Sequence, residues 1–257
     1  TFLKDWKPEI IYSFVSCFYT FEYTKWLKES LGIPVVIHFA DEALQIGAVL
    51  ALPATGSESN GGSVVTKAAT QEKLNFVSPL VQPHFAVLDP DVMKTLPERQ
   101  LANGLVDAWV HTCEQYLTMP TEAMVQEGYA EVLLRSLKTL GEQFAQRDSD
   151  AWRANLMLAA NQALNGFIGS GVPQDWATHM IGHELTALYG VDHGRSLAIV
   201  QPSLLRHQIE YKRAKLEQMA RNVFGLSDGD ALAERCVDAI EAFYHSLGVA
   251  TQLTEHD

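Results

Sequence analysis

The sequence predicts a mixed α/β segment followed by an all-helical one, and three observations carry that expectation. Up to about residue 97 the apolar residues come in short Val-rich runs, "IGAVLAL", "GSVVTKA" and "HFAVLDP", bounded by Gly, Pro, Asn and Asp. Beyond "TLPERQ", residues 95–100, they recur at helical spacing instead. Helix stops, Gly166, Gly190 and "SDGD", then punctuate the helical part.

Taken in order, residues 1–45 offer a helix near 20–31 and a strand at "IPVVIHF", with no Gly-rich loop able to cradle a phosphate. The three Val-rich runs that follow are expected as strands. "LPATGSESN", residues 52–60, is by its composition a turn. "PERQLANGLVDAWVHTCEQYL" carries Leu101, Leu105, Ala108, Val110 and Leu117 on helical spacing, with Pro97 where a first turn tolerates proline. Further helices are expected at about 122–146, 149–168, 174–189, 194–224 and 228–247. Internal repeats and low-complexity segments are absent from the sequence. The expected organisation is therefore residues 1–97 as a partial α/β domain, with 1–45 atypical, and residues 98–257 as a helical domain.

Composition narrows the partners. A chain of 257 residues with 47% hydrophobic residues can bury a sizeable core. Its formal charge of -12, without a Lys/Arg block, argues against nucleic acid or an anionic membrane and leaves small molecules or proteins. The longest early apolar run, "IIYSFVSCFYTF", is shorter than the roughly 20 residues of a membrane span and lacks the flanks of a signal peptide. Cys17, Cys113 and Cys236 are odd in number, widely spaced and without CxxC, which suggests neither a disulfide framework nor a thiolate zinc site and fits a reducing cytoplasm best.

The chemistry-bearing residues are histidines and one aspartate. Asp107 and His111 stand four apart on a helical segment, so both leave one face about 6 Å apart along the axis. His179 and His183 repeat that geometry, and His193 follows ten residues later. On one straight helix His193 would lie about 21 Å from His179. Gly190 resolves this, because a left-handed glycine ends the helix and lets the chain fold back. Five candidates, Asp107, His111, His179, His183 and His193, then converge on about four places. Imidazole and carboxylate without thiolate suit Zn(II) or Fe(II) with an open position. His38, His84, His207, His245 and His256 lack partners at ligand spacing and are expected as surface or satisfied core residues.

Several long motifs together resemble the iron-containing (group III) alcohol dehydrogenases: "LPATGSESN", "FAVLDP", "LPERQLANGLVDAWVHTCEQYLT", "NQALNGFIGSGVPQDWATHMIGHELTALYGVDHG" and "LAIVQP". Within that family the likeness is to the NADPH-dependent, butanol-dehydrogenase-like aldehyde reductases, over roughly residues 46–250. The resemblance implies a dehydroquinate synthase-like architecture, in which a remnant of a dinucleotide-binding α/β domain precedes an all-helical metal-binding domain. It implies Asp107, His111, His179 and His193 as ligands of Fe(II) or Zn(II), with His183 beside the site for proton transfer or substrate orientation. It further implies contacts to NADP(H) or NAD(H) from Thr55, Gly56, Ser57 and Asn60, with Lys73 as a polar partner on a following strand. The implied reaction moves hydride between that nicotinamide and a small aldehyde or primary alcohol, in a cytoplasmic homodimer.

The sequence also departs from the family pattern. The family's GGGS pyrophosphate loop is absent, much of the nucleotide-binding half is missing, and the C-terminal helical stretch is cut short. A catalytically inactive metal-binding fragment is thus the alternative expectation. A metal-dependent hydrolase is a third, in which "LPATGSESN" has no role.

Overall fold

The computed structural model describes residues 46–256. The expected helix near 20–31, the strand "IPVVIHF", His38 and Cys17 lie outside the described residues. Among those described, every strand precedes Glu98 and every α-helix follows it. The three Val-rich runs give β1 (Gly47–Val49), β2 (Gly62–Lys67) and β4 (Phe85–Val87), while β3 (Glu72–Val77) lies outside them, on the stretch where the resemblance placed Lys73. β1 pairs in parallel with β4, Gly47 opposite Phe85, and β2 pairs antiparallel with β3, Thr66 opposite Lys73.

Seven α-helices follow among the described residues: α1 (Glu98–Tyr116), α2 (Met124–Glu142), α3 (Asp150–Ala163), α4 (Ala177–Tyr189), α5 (His193–His207), α6 (Ile209–Met219) and α7 (Leu232–Ser246). Ser149 starts α3 by accepting a hydrogen bond from the Trp152 amide, the side-chain cap that a serine before a helix supplies. The single helix expected over 194–224 is divided. The chain leaves helical geometry at Gln208, where α5, packed on α1, α4 and α7, gives way to α6, packed on α7, and a π turn at Ala220–Phe224 closes the stretch. The remaining helices match the expected ranges within a few residues of fraying at their ends.

The core is built around α1, which touches α2, α3, α4 and α5 and is buried on all sides from Leu101 to Tyr116. Leu105, Val106, Trp109 and Val110 are fully enclosed, and Trp109 lies against Phe243 and Phe224 with ring centroids 4.6 and 5.8 Å away. Burying a side chain of this size is worth roughly 1.5–3 kcal/mol. The apolar residues of α1 therefore supply enough to hold a helix whose other positions, Asn103, Asp107, His111, Glu114 and Gln115, are polar and equally buried. No helix among the described residues is long and apolar enough to cross a membrane.

Two glycines shape the path of the chain between α4 and α5. Gly190 ends α4 in the left-handed region at φ 69°, as its place in the sequence predicts, and turns the backbone. Gly194, immediately after His193, lets α5 press against α1: a Cβ there would stand 2.5 Å from the Asn103 carbonyl oxygen. Backbone faces backbone at that point and neither side can rotate away. Gly194→Ala is therefore expected to cost about 1–3 kcal/mol through overpacking, read as a lower urea midpoint; an unchanged midpoint contradicts the close approach.

Candidate metal centre

α1 presents Asp107, His111 and Glu114 on one face, at intervals of four and three residues. α4 brings His179 and His183 against that face, and the turn at Gly190 returns His193 to it. Asp192 fixes the return. Its carboxylate accepts from Arg99 Nε at 2.7 Å and Asn103 Nδ2 at 2.8 Å, tying the start of α5 to the first turns of α1.

Asp107 Oδ1 is the hub. The Nε2 atoms of His111, His179 and His193 lie 3.5, 3.4 and 3.7 Å from it. These separations are too long for good hydrogen bonds. They are close to the spacing of donors around a tetrahedral ion, about 3.3–3.6 Å for ligand bonds of about 2.0–2.2 Å. Asp107 Oδ1 and His179 Nε2 are buried with no hydrogen-bond partner. Leaving such atoms unpaired costs on the order of 1–3 kcal/mol each, so their arrangement favours a cation among them. The donors of Asp107, His179 and His193 lie within 4.8 Å of one another. His111 joins through Asp107 and through a stacked ring contact with His179, centroids 4.5 Å apart.

The other expected site residues take distinct positions. The His183 ring is 5.2 Å from that of His193, beside the cluster. Lys73, half-buried on β3, is close enough for its charge to act on Asp107, His183 and His193. Thr55, Gly56, Ser57 and Asn60 belong to a loop anchored on the end of α3. Asn60 Nδ2 donates to the Thr55, Gly56 and Leu164 carbonyls at 3.0, 2.7 and 3.0 Å, and its Oδ1 accepts from the Gly62 amide at 2.9 Å. Asn161 Nδ2 donates to Glu58 Oε1 and Ser59 Oγ at 2.8 and 2.9 Å. The same loop reaches the histidines, because the Ala54 carbonyl abuts His111.

Of the histidines without ligand spacing, His245 and His256 bond Thr251 and the Ala250 carbonyl, while His84 and His207 are exposed. Cys113 and Cys236 are buried thiols, the second pushed up to about 12 by desolvation, so neither supplies a thiolate.

Glu114 is the site residue that spacing did not single out. Its Oε2 accepts the Nδ1 proton of His179, and its Oε1 accepts the Thr178 amide at 2.6 Å. Its position seven residues after Asp107, on the same helical face, is the only signal the sequence holds. The partner lies 65 residues away and is visible only after folding.

Electrostatics divide the imidazoles. Burial resists charge on His179, but the nearby Asp107 carboxylate and the hydrogen bond to Glu114 outweigh it and raise its pKa to about 9. Burial lowers His111 to about 4 despite Asp107, and burial together with Lys73 lowers His183 to about 4. His193 is depressed chiefly by burial. Burial alone would raise Asp107, yet the neighbouring imidazoles of His111, His193 and His179 hold it well below the usual carboxylate range. With a chelator present, His179 stabilises the fold below about pH 6.5, and that contribution is lost as pH rises toward 9. The depressed imidazoles act in the opposite sense, so stability also falls as pH drops below about 6.5. Thermal melting in chelator is thus expected to peak near pH 6.5, and a midpoint that climbs steadily from 6.5 to 8.5 contradicts this charge pattern.

Comparison with known proteins adds a lineage to this geometry. Residues 101–257 match the model of the Fe-containing alcohol dehydrogenase family, C-terminal. The NADPH-dependent aldehyde reductase YqhD of Escherichia coli is 50% identical over 83% of this chain and 56% of its own length. NADH-dependent butanol dehydrogenase A of Clostridium acetobutylicum is 34% identical over 83% of this chain and 56% of its own length. The crystal structure of E. coli K-12 YqhD superposes with a TM-score of 0.80 at 46% identity, covering 90% of this chain and 58% of that one. NADH-dependent butanol dehydrogenase A from Thermotoga maritima superposes with a TM-score of 0.78 at 31% identity, over 87% and 54%. The chain spans little more than half the length of these relatives.

Proposed function

The chain belongs to the Fe-containing alcohol dehydrogenase family, and from that premise we propose that it is a metal-dependent alcohol dehydrogenase or aldehyde reductase. Its reaction moves hydride between NAD(P)H and a small aldehyde or primary alcohol. The observation that carries this reading is the set of three Nε2 atoms at 3.4–3.7 Å around the buried Oδ1 of Asp107. The names of the relatives, an aldehyde reductase and a butanol dehydrogenase, support the substrate class.

Asp107, His111, His179 and His193 would hold one divalent ion through a carboxylate oxygen and three imidazole nitrogens, a donor set that suits Fe(II) and Zn(II) alike. Bound there, the ion supplies Lewis acidity to a carbonyl oxygen, and the nicotinamide supplies the hydride. The side chains do the rest. Aldehyde reduction places a hydride on carbon and a proton on oxygen, and His183, neutral near pH 7, would relay that proton from solvent, taking one up on one ring nitrogen as it gives one away from the other. His193 is a quarter exposed, whereas the Asp107, His111 and His179 side chains are almost fully covered, so substrate approaches from the His193 side. Trp176 stands edge-on to His111 and His179 and closes the opposite wall against water.

Thr55, Gly56 and Ser57 are proposed to meet the nicotinamide and phosphates. Asn60 contributes by holding the loop, since its amide is engaged with backbone carbonyls. Lys73 projects its charge toward the same space and favours the anionic parts of a nucleotide.

The test combines metal analysis with an NADPH titration and an aldehyde assay. Expected are one ion per chain and saturable NADPH oxidation with a short aldehyde, abolished by chelation. Metal without nucleotide binding at millimolar concentration contradicts the enzyme reading and favours a non-catalytic metal-binding one. His179→Ala and His193→Ala are expected to lose metal and activity together. His183→Ala should keep its metal while kcat falls about 100-fold or more; loss of metal in His183→Ala as complete as in His179→Ala contradicts the division of roles.

A further inference from the structure

We propose that Glu114 is a positioning residue of the metal centre, which sets both the tautomer of His179 and the seat of α4 on α1. The inference rests on the metal reading above. Glu114 is 6% exposed, and all its polar contacts run to one stretch of chain. Oε2 accepts the Nδ1 proton of His179, Oε1 accepts the amides of Thr178 at 2.6 Å and His179 at 3.4 Å, and its backbone carbonyl accepts the Asp175 amide at 2.9 Å.

Two consequences follow from these bonds. An imidazole that donates from Nδ1 presents a lone pair at Nε2, and Nε2 of His179 is the atom 3.4 Å from Asp107 Oδ1. A neutral His179 held the other way round would carry hydrogen on Nε2 and could not serve as a ligand. The second is placement. The N-cap of α4, Trp176, makes no side-chain cap bond; Asp175 Oδ1 accepts the Ala177 amide at 3.1 Å, and the next two first-turn amides, Thr178 and His179, are taken by the Glu114 carboxylate of α1. One residue thus aims the ring and fixes the helix that carries it. A second buried carboxylate beside Asp107 also gives two negative charges near a site proposed for a doubly charged ion, which reduces the cost of holding that ion away from water.

Glu114→Gln separates this role from a packing role. The glutamine has the same shape and its Oε1 can still accept the α4 amides, but its NH2 group facing Nδ1 is a donor and favours the wrong tautomer. Metal-stripped chain, Glu114→Gln, Glu114→Ala and His179→Ala would each be titrated with Co2+, following the visible bands of the bound ion. Amide exchange of α4 would be measured alongside.

Expected is a 10–100-fold weaker Co2+ affinity in Glu114→Gln with α4 protection unchanged, and weaker affinity together with faster α4 exchange in Glu114→Ala. Wild-type affinity in Glu114→Gln overturns the inference while leaving the metal reading standing. Failure of the wild-type chain to bind, or wild-type binding by His179→Ala, overturns the metal reading and this inference with it. The wild-type chain loaded with Zn2+ gives a check without substitution: 15N NMR should find the His179 proton on Nδ1, and a proton on Nε2 overturns the proposal.

Discussion

A carboxylate and an imidazole placed in the middle of a fully buried helix are the constraint on which the rest of the structure depends. Asp107 and His111 sit one turn apart on α1, at 2% and 3% exposure, where an unpaired charge is expensive. The chain answers by surrounding them. α4 supplies His179, the turn at Gly190 returns His193, and the three Nε2 atoms face one oxygen at ion-sized spacing. Glu114 and Asp192 are the fasteners: one holds α4 to the last turn of α1, the other holds α5 to its beginning. The apolar contacts of Leu105, Trp109 and their neighbours outweigh the cost of burying so many polar groups on a single helix.

The same helix couples the candidate metal centre to the loop at residues 53–60. The Pro53 carbonyl approaches α1 so closely that a Cβ on Gly104 would stand 2.4 Å from it, and the Ala54 carbonyl abuts His111. Asn60 and Asn161 pin the far side of the loop to α3. A loop clamped between α1 and α3 presents fixed backbone groups to any nucleotide that reaches it. Much of its ordering cost is already met by folding.

Much of this was legible in the sequence because it is written locally. Helical spacing marked α1 to α4 and α7, and Val-rich runs marked β1, β2 and β4, while β3, "EKLNFV", has no such run. Gly190 announced the turn that makes the His193 position possible, and the intervals between Asp107 and His111 and between His179 and His183 announced two faces of one site. The long stretch after residue 194 was misread as one helix, because the break at Gln208 leaves no Gly or Pro at the joint. Glu114 was missed for a related reason. A glutamate on a helix is ordinarily a solvated residue, and its role depends on a histidine 65 residues away. The nearness of Lys73 to the histidines likewise arises only when the β2 and β3 hairpin folds over α4.

Enclosure of one ion by four side chains from three helices can be read directly by X-ray absorption on the chain loaded with a single equivalent of Zn2+ or Fe2+. Expected is a coordination shell of imidazole nitrogens and carboxylate oxygen at about 2.0–2.2 Å, with the multiple-scattering signature of three histidines. A shell of oxygens alone, or one containing sulfur, would contradict it.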